Sequence, residues 1–512
     1  MSDVIMNRRS FLAGSLAAGA ALQSSRAAER INHHLPARDT HYRHTQGYVE
    51  EIPVAEYRWA SDAAYERFRD IKYGVRLHWG LYSILGGPNE SWPFLTMDLP
   101  ARQRYQEMYK TWSPKGFDAD EWMDLFAGCG MKMFAFTSKH HEGFSMFDTR
   151  THVRRRTNWT APGGPVMENC DLAYSIMETP FRRDVVKELC DAAHKRDIKI
   201  DLYFSHPDWY DADFRPYAYH PLQVPSANIL TGVHQEARQR MGDRAVMVPD
   251  PTPEEVRRMM ARHRDQLSEL LTRYGTIDML CLDMWLGPGV WPQLRDTILH
   301  LRNLQPDVML RARGIGNYGD YYTPEGFVPG DKGNTDTPWF VIYPLGSSFS
   351  YERVAEKHKG AAWVVRNLVD CVAKGGNFMV AVGPDGDGRF HPTAISQLKE
   401  AGEWLQVNGV GIYATRPREA DLWSEGPDIR FSRTKDNKTV YAFALKWPGE
   451  KLVLRSVRPL GGSVIQMLGT NVPLQWTRQN GGVEIEIPAG LQDESRRPCR
   501  FAWGFQIPVE AA

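Results

Sequence analysis

The chain has 512 residues, of which 42% are hydrophobic and 24% are charged, values that are ordinary for a soluble globular protein. Lys and Arg together number 62, as do Asp and Glu, so no net field favours binding to nucleic acid, to an anionic membrane or to an acidic polymer. This length predicts a large barrel and one further domain.

The first 28 residues are predicted to be a twin-arginine export signal. Asn7–Leu12 carries the twin-arginine pattern, Leu12–Leu22 is weakly apolar, and Ser25–Ala27 offers small residues at a cleavage site. The apolar segment is too short to remain as a membrane anchor, and no other run approaches the roughly 18 apolar residues of a spanning helix. We therefore expect a periplasmic or secreted protein with no membrane partner, whose polar extension covers residues 29–55.

Strand-like and helix-like segments alternate between residues 56 and 415. The predicted strands are Tyr73–Trp79, Met131–Phe136, Ile198–Phe204, Ile277–Leu282, Val308–Arg311 and Asn377–Val382. The predicted helices are Ala119–Cys129, Arg182–Lys195, Pro253–Tyr274, Trp291–Leu304, Arg353–Lys374 and Thr393–Val407. This alternation predicts an α/β fold with parallel strands, and its length favours a (β/α)8-like TIM barrel. Residues 151–174 and 211–248 are predicted to be long loops, which are often binding elements.

The pattern changes at residue 416. Short strand-like runs follow at Thr439–Leu445, Lys451–Leu454 and Val483–Pro488, and glycine-containing turns such as Gly461–Gly462 separate them. Residues 416–512 are therefore predicted to form a small C-terminal antiparallel β-sandwich.

No metal or other cofactor is expected. The six cysteines show no C-x-x-C spacing, and Cys190, Cys281 and Cys371 lie in apolar patterns that predict buried free thiols. The adjacent histidines at 140–141 have no third spaced ligand for zinc. The loop Gly383–Gly388 lacks the fuller set of oxygen ligands that calcium needs, so it is predicted to be a tight turn.

Polar and aromatic side chains follow the C-terminal ends of the predicted strands, which in a barrel form the open face. They are His78, Glu90, Trp92, His140, His141, Tyr203, His206, Asp283, Arg313 and Glu325. Histidine and arginine donors suit sugar hydroxyls, Trp faces suit the apolar side of a sugar ring, and two carboxylates on different strands can cleave a glycosidic bond. His206 is instead favoured as a structural loop histidine, and Trp404 as barrel core.

Four motifs, in order along the chain, resemble those of glycoside hydrolase family 29, the retaining α-L-fucosidases. They are His78–Ser83, Thr137–Phe144, Gly383–Gly388 and Trp404–Gly409, and the resemblance covers residues 57 to 417. It implies an exo-acting α-L-fucosidase whose substrate is a fucosylated glycan or oligosaccharide, hydrolysed by double displacement.

The resemblance also implies roles for individual residues. Asp283 would be the nucleophile that forms a covalent fucosyl intermediate, and Glu325, twelve residues after Arg313, would be the acid/base. The sugar-binding positions would be His78, His140, His141 and Arg313, with Glu90, Trp92 and Tyr203 in the wall of the pocket.

The chain departs from the family pattern at several positions around the pocket. Ser91 interrupts a Glu-Trp pair, Cys281 stands where Trp is common, Arg311–Arg313 replaces an Asn-Asp-Arg run, and Trp339–Phe340 replaces a Trp-Glu pair. These changes leave both carboxylates in place but alter the lining. A glycosidase acting on a related or decorated sugar, for example a sulfated fucoside, is therefore the alternative, and a non-catalytic carbohydrate-binding protein is the third hypothesis.

Overall fold

The structure is a computed structural model that describes residues 42, 44–87, 89–215, 217, 220–222, 249–324, 328–329 and 337–510. The predicted export signal at residues 1–28, the candidate acid/base Glu325 and most of the predicted loop at 211–248 lie outside the described residues.

Within the described residues, a seven-stranded parallel sheet forms the barrel, in the order β7-β6-β5-β2-β1-β9-β8. Its strands are β1 (Tyr73–Leu77), β2 (Met133–Lys139), β5 (Lys199–Ser205), β6 (Met279–Asp283), β7 (Met309–Leu310), β8 (Phe340–Pro344) and β9 (Asn377–Val382). Isolated parallel bridges join Arg311 to Tyr321 and Tyr322 to Trp339. Residues 321–322 therefore occupy the eighth position between β7 and β8, and the predicted TIM-barrel architecture is confirmed.

Helices accompany this sheet, and the first of them packs against strand side chains of the inner face, such as Met133, Met279 and Met379. The helices are α1 (Asp62–Ile71), α2 (Tyr82–Leu85), α3 (Leu99–Glu107), α4 (Ala119–Gly128), α5 (Val185–His194), α6 (Pro253–Thr272), α7 (Trp291–Leu304), α8 (Ala361–Ala373) and α9 (Pro392–Asn408). Short 3₁₀ turns lie at Trp92–Leu95, Met108–Thr111, Ile176–Glu178, Ala212–Phe214, Pro288–Val290, Gly316–Tyr318, Ala355–Lys357, Gly409–Gly411, Ala420–Trp423, Ala489–Gln492 and Glu494–Arg496.

Local sequence explains where the helices begin. Helix α6 starts with a capping box in which Thr252 and Glu255 each bind the other's backbone N–H, and Pro253 fits the first turn because it needs no hydrogen-bond donor there. Asp118 and Asp184 likewise cap α4 and α5. Every residue of β1, β2, β6 and β9 is buried, as expected for parallel strands covered on both faces.

Several elements differ from the sequence prediction, which named neither α1 nor α3. The predicted loop 151–174 contains an antiparallel hairpin of β3 (Val153–Asn158) and β4 (Val166–Leu172), which lacked an apolar alternation because charged residues such as Arg156 and Glu168, 2.7 Å apart, pair across it. Strand β8 was not predicted, since it is short and three of its five residues are only half-buried. Helix α8 begins at Ala361 rather than at residue 353, because Gly360 adopts a positive φ of 91° just before it.

Residues 424–508, all described, form the predicted C-terminal β-sandwich. One sheet has the order β10-β11-β12-β18-β14-β15 and the other β13-β17-β16, with all pairs antiparallel. Their strands are β10 (Ser424–Glu425), β11 (Ile429–Arg433), β12 (Thr439–Ala444), β13 (Lys451–Leu454), β14 (Ile465–Met467), β15 (Pro473–Leu474), β16 (Trp476–Gln479), β17 (Gly482–Glu486) and β18 (Trp503–Pro508). Trp404 of α9 is buried, and its Nε1 donates to the Ala502 carbonyl at 2.7 Å, so this residue belongs to the core where barrel and sandwich meet.

The predicted buried thiols Cys190, Cys281 and Cys371 are buried, and all six cysteines, each within the described residues, are free. The loop Gly383–Gly388 is a tight turn in which Asp385 Oδ1 accepts from the N–H groups of Asp387 and Arg389. No helix among the described residues is both long and apolar enough to cross a membrane.

Candidate active site

The candidate residues collect at the C-terminal ends of neighbouring barrel strands. His78 follows β1, His140 and His141 follow β2, Tyr203 lies near the end of β5, and Asp283 is the last residue of β6. Arg311 and Arg313 follow β7 in the same way. Because β1, β2, β5, β6 and β7 are consecutive neighbours in the sheet, these side chains converge on one part of the open face.

Asp283 is held through both of its carboxylate oxygens. Oδ1 accepts from Arg313 Nη1 at 3.0 Å and from Arg311 Nη1 at 3.1 Å. Oδ2 accepts from the Tyr203 hydroxyl at 2.6 Å and lies 3.8 Å from His141 Nε2. Burial by itself raises the pKa of Asp283, but the charges of Arg313, Arg311 and His141 outweigh it and hold the pKa well below its usual range. The carboxylate is therefore ionised at neutral pH.

The backbone turns sharply just after this carboxylate. Met284 has a φ of 66°, a left-handed conformation that is uncommon for a non-glycine residue and is found at functional sites where the surrounding structure enforces it. The turn ends β6 at Asp283, so the carboxylate lies at the rim of the strand and not within it.

The two adjacent histidines lie side by side, with ring centroids 4.2 Å apart. Ser91 Oγ lies 2.5 Å from His140 Nδ1. The centroid of the His141 ring lies 4.7 Å from that of Trp92 and 5.3 Å from that of Trp209. The backbone N–H of Trp209 donates to the backbone carbonyl of His141 at 2.8 Å. The histidines therefore form one wall of the site together with two tryptophans.

A buried ionic cluster fixes the loop that carries this wall. Lys139 Nζ lies 3.5 Å from Asp208 Oδ2, and Arg262 Nη1 donates to the same oxygen at 2.8 Å. Burial lowers the pKa of Lys139 to about 8, although Asp208 opposes this change. Gly143 has a φ of 88°, and a Cβ there would lie 2.1 Å from Asp208 Oδ1, so only glycine lets the loop pass so close to the cluster.

His78 already binds protein groups through both ring nitrogens. Arg76 Nε donates to His78 Nε2 at 3.3 Å, and His78 Nδ1 lies 3.1 Å from Thr137 Oγ1, whose hydroxyl donates to the Leu77 carbonyl. These partners assign the Nδ1–H tautomer. Burial, reinforced by the Arg76 charge, holds the pKa of His78 well below its usual value, so the ring is neutral.

The segment Glu90–Trp92 divides its side chains between two parts of the wall. The Trp92 ring contacts His141, as described above, whereas the Glu90 carboxylate lies near the backbone N–H groups of Ser350 and Phe349, which act to lower its pKa. Glu90 is buried in a left-handed conformation with a φ of 46°. Burial raises its pKa despite the nearby His140. Ser91, the residue that interrupts the family pattern, supplies the polar contact to His140.

Glu325 lies outside the described residues, but the chain just before it is well fixed. Asp320 is buried, accepts from the Leu310 N–H at 2.7 Å and forms an ion pair with Arg302. Thr323 N–H donates to the Tyr42 hydroxyl at 3.3 Å. Asp320 is therefore engaged in holding the eighth barrel position, and Glu325 follows two residues after the fixed segment.

His206 is a buried structural histidine, as the sequence favoured. Its Nδ1 lies 3.0 Å from His263 Nε2 of α6, and the two rings stack. Burial lowers the pKa of His206 to about 3, which keeps it neutral.

The sequence prediction did not assign Ser91 or Trp209 to the site, and it named Arg311 only as a departure from the family pattern that motivated a decorated sugar. Ser91 and Trp209 lie beside His140 and His141, and Arg311 binds Asp283 directly. Arg311 could have been found from its strand-end position two residues before Arg313, because alternate residues of a strand lie on the same face. Among the described residues, no group of three or more His, Cys, Asp and Glu side chains is arranged to hold a metal ion.

Comparison with known proteins shows which family the chain matches. Residues 46–410 match the family model for alpha-L-fucosidase, and residues 424–508 match the model for the alpha-L-fucosidase C-terminal domain. The chain is 27% identical to plasma alpha-L-fucosidase of Rattus norvegicus over 469 residues, which cover 86% of this chain and 90% of the relative. It is also 27% identical to tissue alpha-L-fucosidase of Homo sapiens over 474 residues, covering 86% and 88% of the two chains.

Solved structures show the same fold. Alpha-L-fucosidase isoenzyme 1 from Paenibacillus thiaminolyticus superposes with a TM-score of 0.70 at 23% identity, covering 87% of this chain and 99% of that one. A GH29 alpha-L-fucosidase from Bacteroides thetaiotaomicron superposes with a TM-score of 0.68 at 22% identity, covering 88% and 96%.

Proposed function

The chain belongs to the alpha-L-fucosidase family and is a glycoside hydrolase that acts on α-L-fucosides, and on that premise we propose that Asp283 is its nucleophile in a retaining double displacement. The observation that carries this assignment is the carboxylate itself. It stands at the end of β6, bound by two guanidinium groups and one phenol, and a carboxylate kept ionised in a buried site can attack a carbon centre at neutral pH.

The proposed reaction has two steps. In the first, an Asp283 oxygen forms a bond to the anomeric carbon while the bond to the leaving oxygen breaks, and Glu325 gives that oxygen a proton. In the second, water attacks the anomeric carbon, Glu325 takes a proton from the water, and the bond to Asp283 breaks. The product keeps the anomeric configuration of the substrate. Glu325 is assigned to these steps by its resemblance to the family motif.

Sugar binding is proposed for the walls around Asp283. His140, His141 and Glu90 offer polar groups for hydroxyls, and the Trp92 ring offers an apolar face. Glu90 Oε1 is buried and has no hydrogen-bond partner among the described residues, which suits an acceptor for a sugar hydroxyl. The substrate would be the terminal fucose of a glycan or oligosaccharide.

Rescue by azide tests the two carboxylates separately. Asp283→Ala should abolish hydrolysis of an aryl α-L-fucoside, and azide should restore release of the phenol while forming a fucosyl azide of inverted configuration. Glu325→Ala should slow hydrolysis and, with azide, give a fucosyl azide of retained configuration, because azide then attacks the enzyme-bound intermediate. Activity of Asp283→Ala close to that of the wild type would refute the assignment of the nucleophile, and an inverted product from Glu325→Ala would refute the assignment of the acid/base.

Two arginines at the site motivated the alternative of an anionic, decorated sugar. In the structure Arg311 and Arg313 both form ion pairs with Asp283, so their charge is already matched in part by the protein. This observation favours an undecorated fucoside. Comparison of kcat/KM for aryl α-L-fucosides with and without a sulfate group tests the preference, and a higher value for the sulfated compound would reverse it.

We also propose that the protein is exported and acts in the periplasm or outside the cell. The twin-arginine pattern of the leader at residues 1–28 supports this location. Expression in a bacterium with a twin-arginine pathway should place activity in the periplasmic fraction, and the double substitution Arg8→Lys with Arg9→Lys should retain it in the cytoplasm. Unchanged export of the double variant would refute the proposed route.

A further inference from the structure

A closed ring of contacts lies beneath the proposed nucleophile. Arg311 Nη1, which binds Asp283 Oδ1, also lies 3.4 Å from Cys281 Sγ. Arg76 Nη1 reaches the same sulfur at 3.4 Å from the other side. The Arg76 guanidinium carbon lies 4.5 Å from the centre of the Tyr203 ring, and the Tyr203 hydroxyl returns to Asp283 Oδ2.

Each member of this ring is buried. The exposed fraction is 1% for Arg76, 0% for Cys281, 2% for Tyr203 and 3% for Arg311. Burying guanidinium groups is costly unless they are matched by charge and geometry. Here Asp201 matches Arg76 at 3.7 Å and Asp283 matches Arg311 at 3.1 Å, while both guanidinium groups also contact the Cys281 thiol.

We propose that Arg311 is a positioning residue for the nucleophile: seated against Cys281, it fixes the rotation and the ionisation of the Asp283 carboxylate. This inference rests on the proposed role of Asp283 and adds a residue to which that proposal gives no role. Arg313 alone would give Oδ1 one guanidinium donor, whereas two guanidinium groups on Oδ1 and one phenol on Oδ2 hold the carboxylate plane. Charge-assisted hydrogen bonds of this kind are the strong ones.

Charged and titratable groups surround Asp283, and they come from the neighbouring strands. They are Arg76 and His78 from β1 and its end, His141 after β2, Asp201, Tyr203 and His206 from β5 and its end, Cys281 on β6, and Arg311 and Arg313 after β7. His78 and His206 are neutral, as described above. Asp201 pairs with Arg76 at 3.7 Å, and Arg311 and Arg313 form ion pairs with Asp283.

Removing Arg311 should therefore act on both the pH profile and the rate. Arg311→Gln should lower kcat by about 10- to 100-fold with little change in KM, since a nucleophile misplaced by about 1 Å can cost about 100-fold. The acidic limb of kcat/KM should move to higher pH by about one unit, because one neighbouring opposite charge lowers a carboxyl pKa by about 1 to 3 units. Arg311→Lys should return the acidic limb most of the way to its wild-type pH, because lysine keeps the charge. It should recover only part of kcat, because lysine lacks the two-pronged geometry of the guanidinium group.

Two further variants complete the experiment. Cys281→Ala removes the seat without changing charge, so it should lower kcat several-fold and leave the acidic limb in place. Arg389→Gln removes a guanidinium that is 64% exposed and pairs with Asp387 on the surface, so it changes the net charge equally and should match the wild type. Thermal unfolding and binding of free α-L-fucose should be measured for each variant.

The outcomes separate this inference from the proposed function. A folded Arg311→Gln with wild-type kcat and an unmoved acidic limb would overturn it, as would an equal loss of rate at all pH values accompanied only by a lower Tm. If Arg311→Gln does not fold, Arg311→Lys and Cys281→Ala decide, and wild-type kcat in both would overturn the inference. Activity in Asp283→Ala would instead refute the nucleophile itself.

Discussion

The interior of the barrel and the interior of the β-sandwich both consist of buried side chains but differ in composition. The sandwich core consists of hydrophobic side chains, such as Phe431, Leu454, Ile485 and Phe505. The C-terminal half of the barrel instead encloses charged groups, including Arg76, Asp201, Lys139, Asp208 and Asp283, which are all buried. Buried charges cost free energy unless they are paired. This contrast therefore indicates that the sandwich contributes stability, whereas the C-terminal half of the barrel carries the chemistry.

The contrast predicts that substitutions in the two regions affect different quantities. Phe505→Ala should lower the free energy of unfolding by about 3 to 5 kcal/mol, the usual cost of removing a buried aromatic ring. The kcat of the molecules that remain folded should not change. Chemical denaturation followed together with active-site titration checks both statements.

Gln506→Ala is the matched control for that experiment, because Gln506 is the next residue of β18 and is partly exposed. Its unfolding free energy should stay close to that of the wild type. A large fall in kcat for folded Phe505→Ala would show that the sandwich contributes to the site and would weaken the contrast.

Asp201 should make the barrel interior less stable as the pH rises. Burial raises its pKa to about 6 despite the charges of Arg76 and Arg311. The folded-state pKa lies above the unfolded value, so the folded state holds this proton more tightly. The resulting stabilisation of the folded state is fully present below pH ~4 and is lost as the pH rises through about 6. Asp201→Asn, which resembles the protonated form, should therefore gain about 3 kcal/mol over the wild type above pH ~6.

Unfolding free energies of the two proteins at a series of pH values test this sign. The difference should be near zero below pH ~4 and should grow up to pH ~6. A constant difference at all pH values would contradict the proposed titration and would reduce Asp201 to a packing residue.

Tyr203→Phe tests one hydrogen bond to the Asp283 carboxylate within the site. It removes the phenol that donates to Asp283 Oδ2 at 2.6 Å but keeps the ring over Arg76. A hydrogen bond to a charged group contributes about 1.5 to 3 kcal/mol, so kcat should fall by about 10- to 100-fold with a small change in Tm. A fall in Tm without a change in kcat would assign Tyr203 to packing instead.

Ser91→Ala should have the smallest effect. It removes the 2.5 Å contact to His140 Nδ1, a single hydrogen bond with a net contribution of about 1 kcal/mol. We expect KM for an aryl α-L-fucoside to rise about five-fold while kcat stays similar. Ser91→Thr, which keeps the hydroxyl, is the control, and an equal loss in both variants would show that shape and not the hydrogen bond matters.

Much of the fold was predictable because barrel strands and helices have strong local signals. Met279–Leu282 is a run of apolar residues followed by a charge, and β6 was found there with Asp283 as its last residue. Two of the regions that were missed have weak signals. The hairpin of β3 and β4 places charged residues such as Arg156 and Glu168 among its apolar ones, and residues 321–322 form only isolated bridges.

The candidate site was predictable in its residue types and less so in its contacts. The position of Asp283 at a strand end and the adjacent pair His140 and His141 were readable from the chain. Packing between strands decides that Ser91 contacts His140. It also decides that His78 binds Arg76 and Thr137 through its two ring nitrogens. Sequence spacing does not predict the contact of Ser91 with His140 or that of Thr137 with His78, because these partners are 49 and 59 residues apart along the chain.

The order of residues along the chain specifies the alternation that builds the barrel, the antiparallel sandwich after it, and the carboxylate that ends β6. These follow from local periodicity, from turn residues and from a charge placed after an apolar run. Only the tertiary structure decided that Arg311 and Arg313 converge on Asp283 Oδ1 while Tyr203 holds Oδ2. The physical reason is that parallel strands bring their C-terminal ends to one face whatever their separation in sequence, and the pairing of charges buried at that face depends on distances of a few ångströms that only the closed barrel sets.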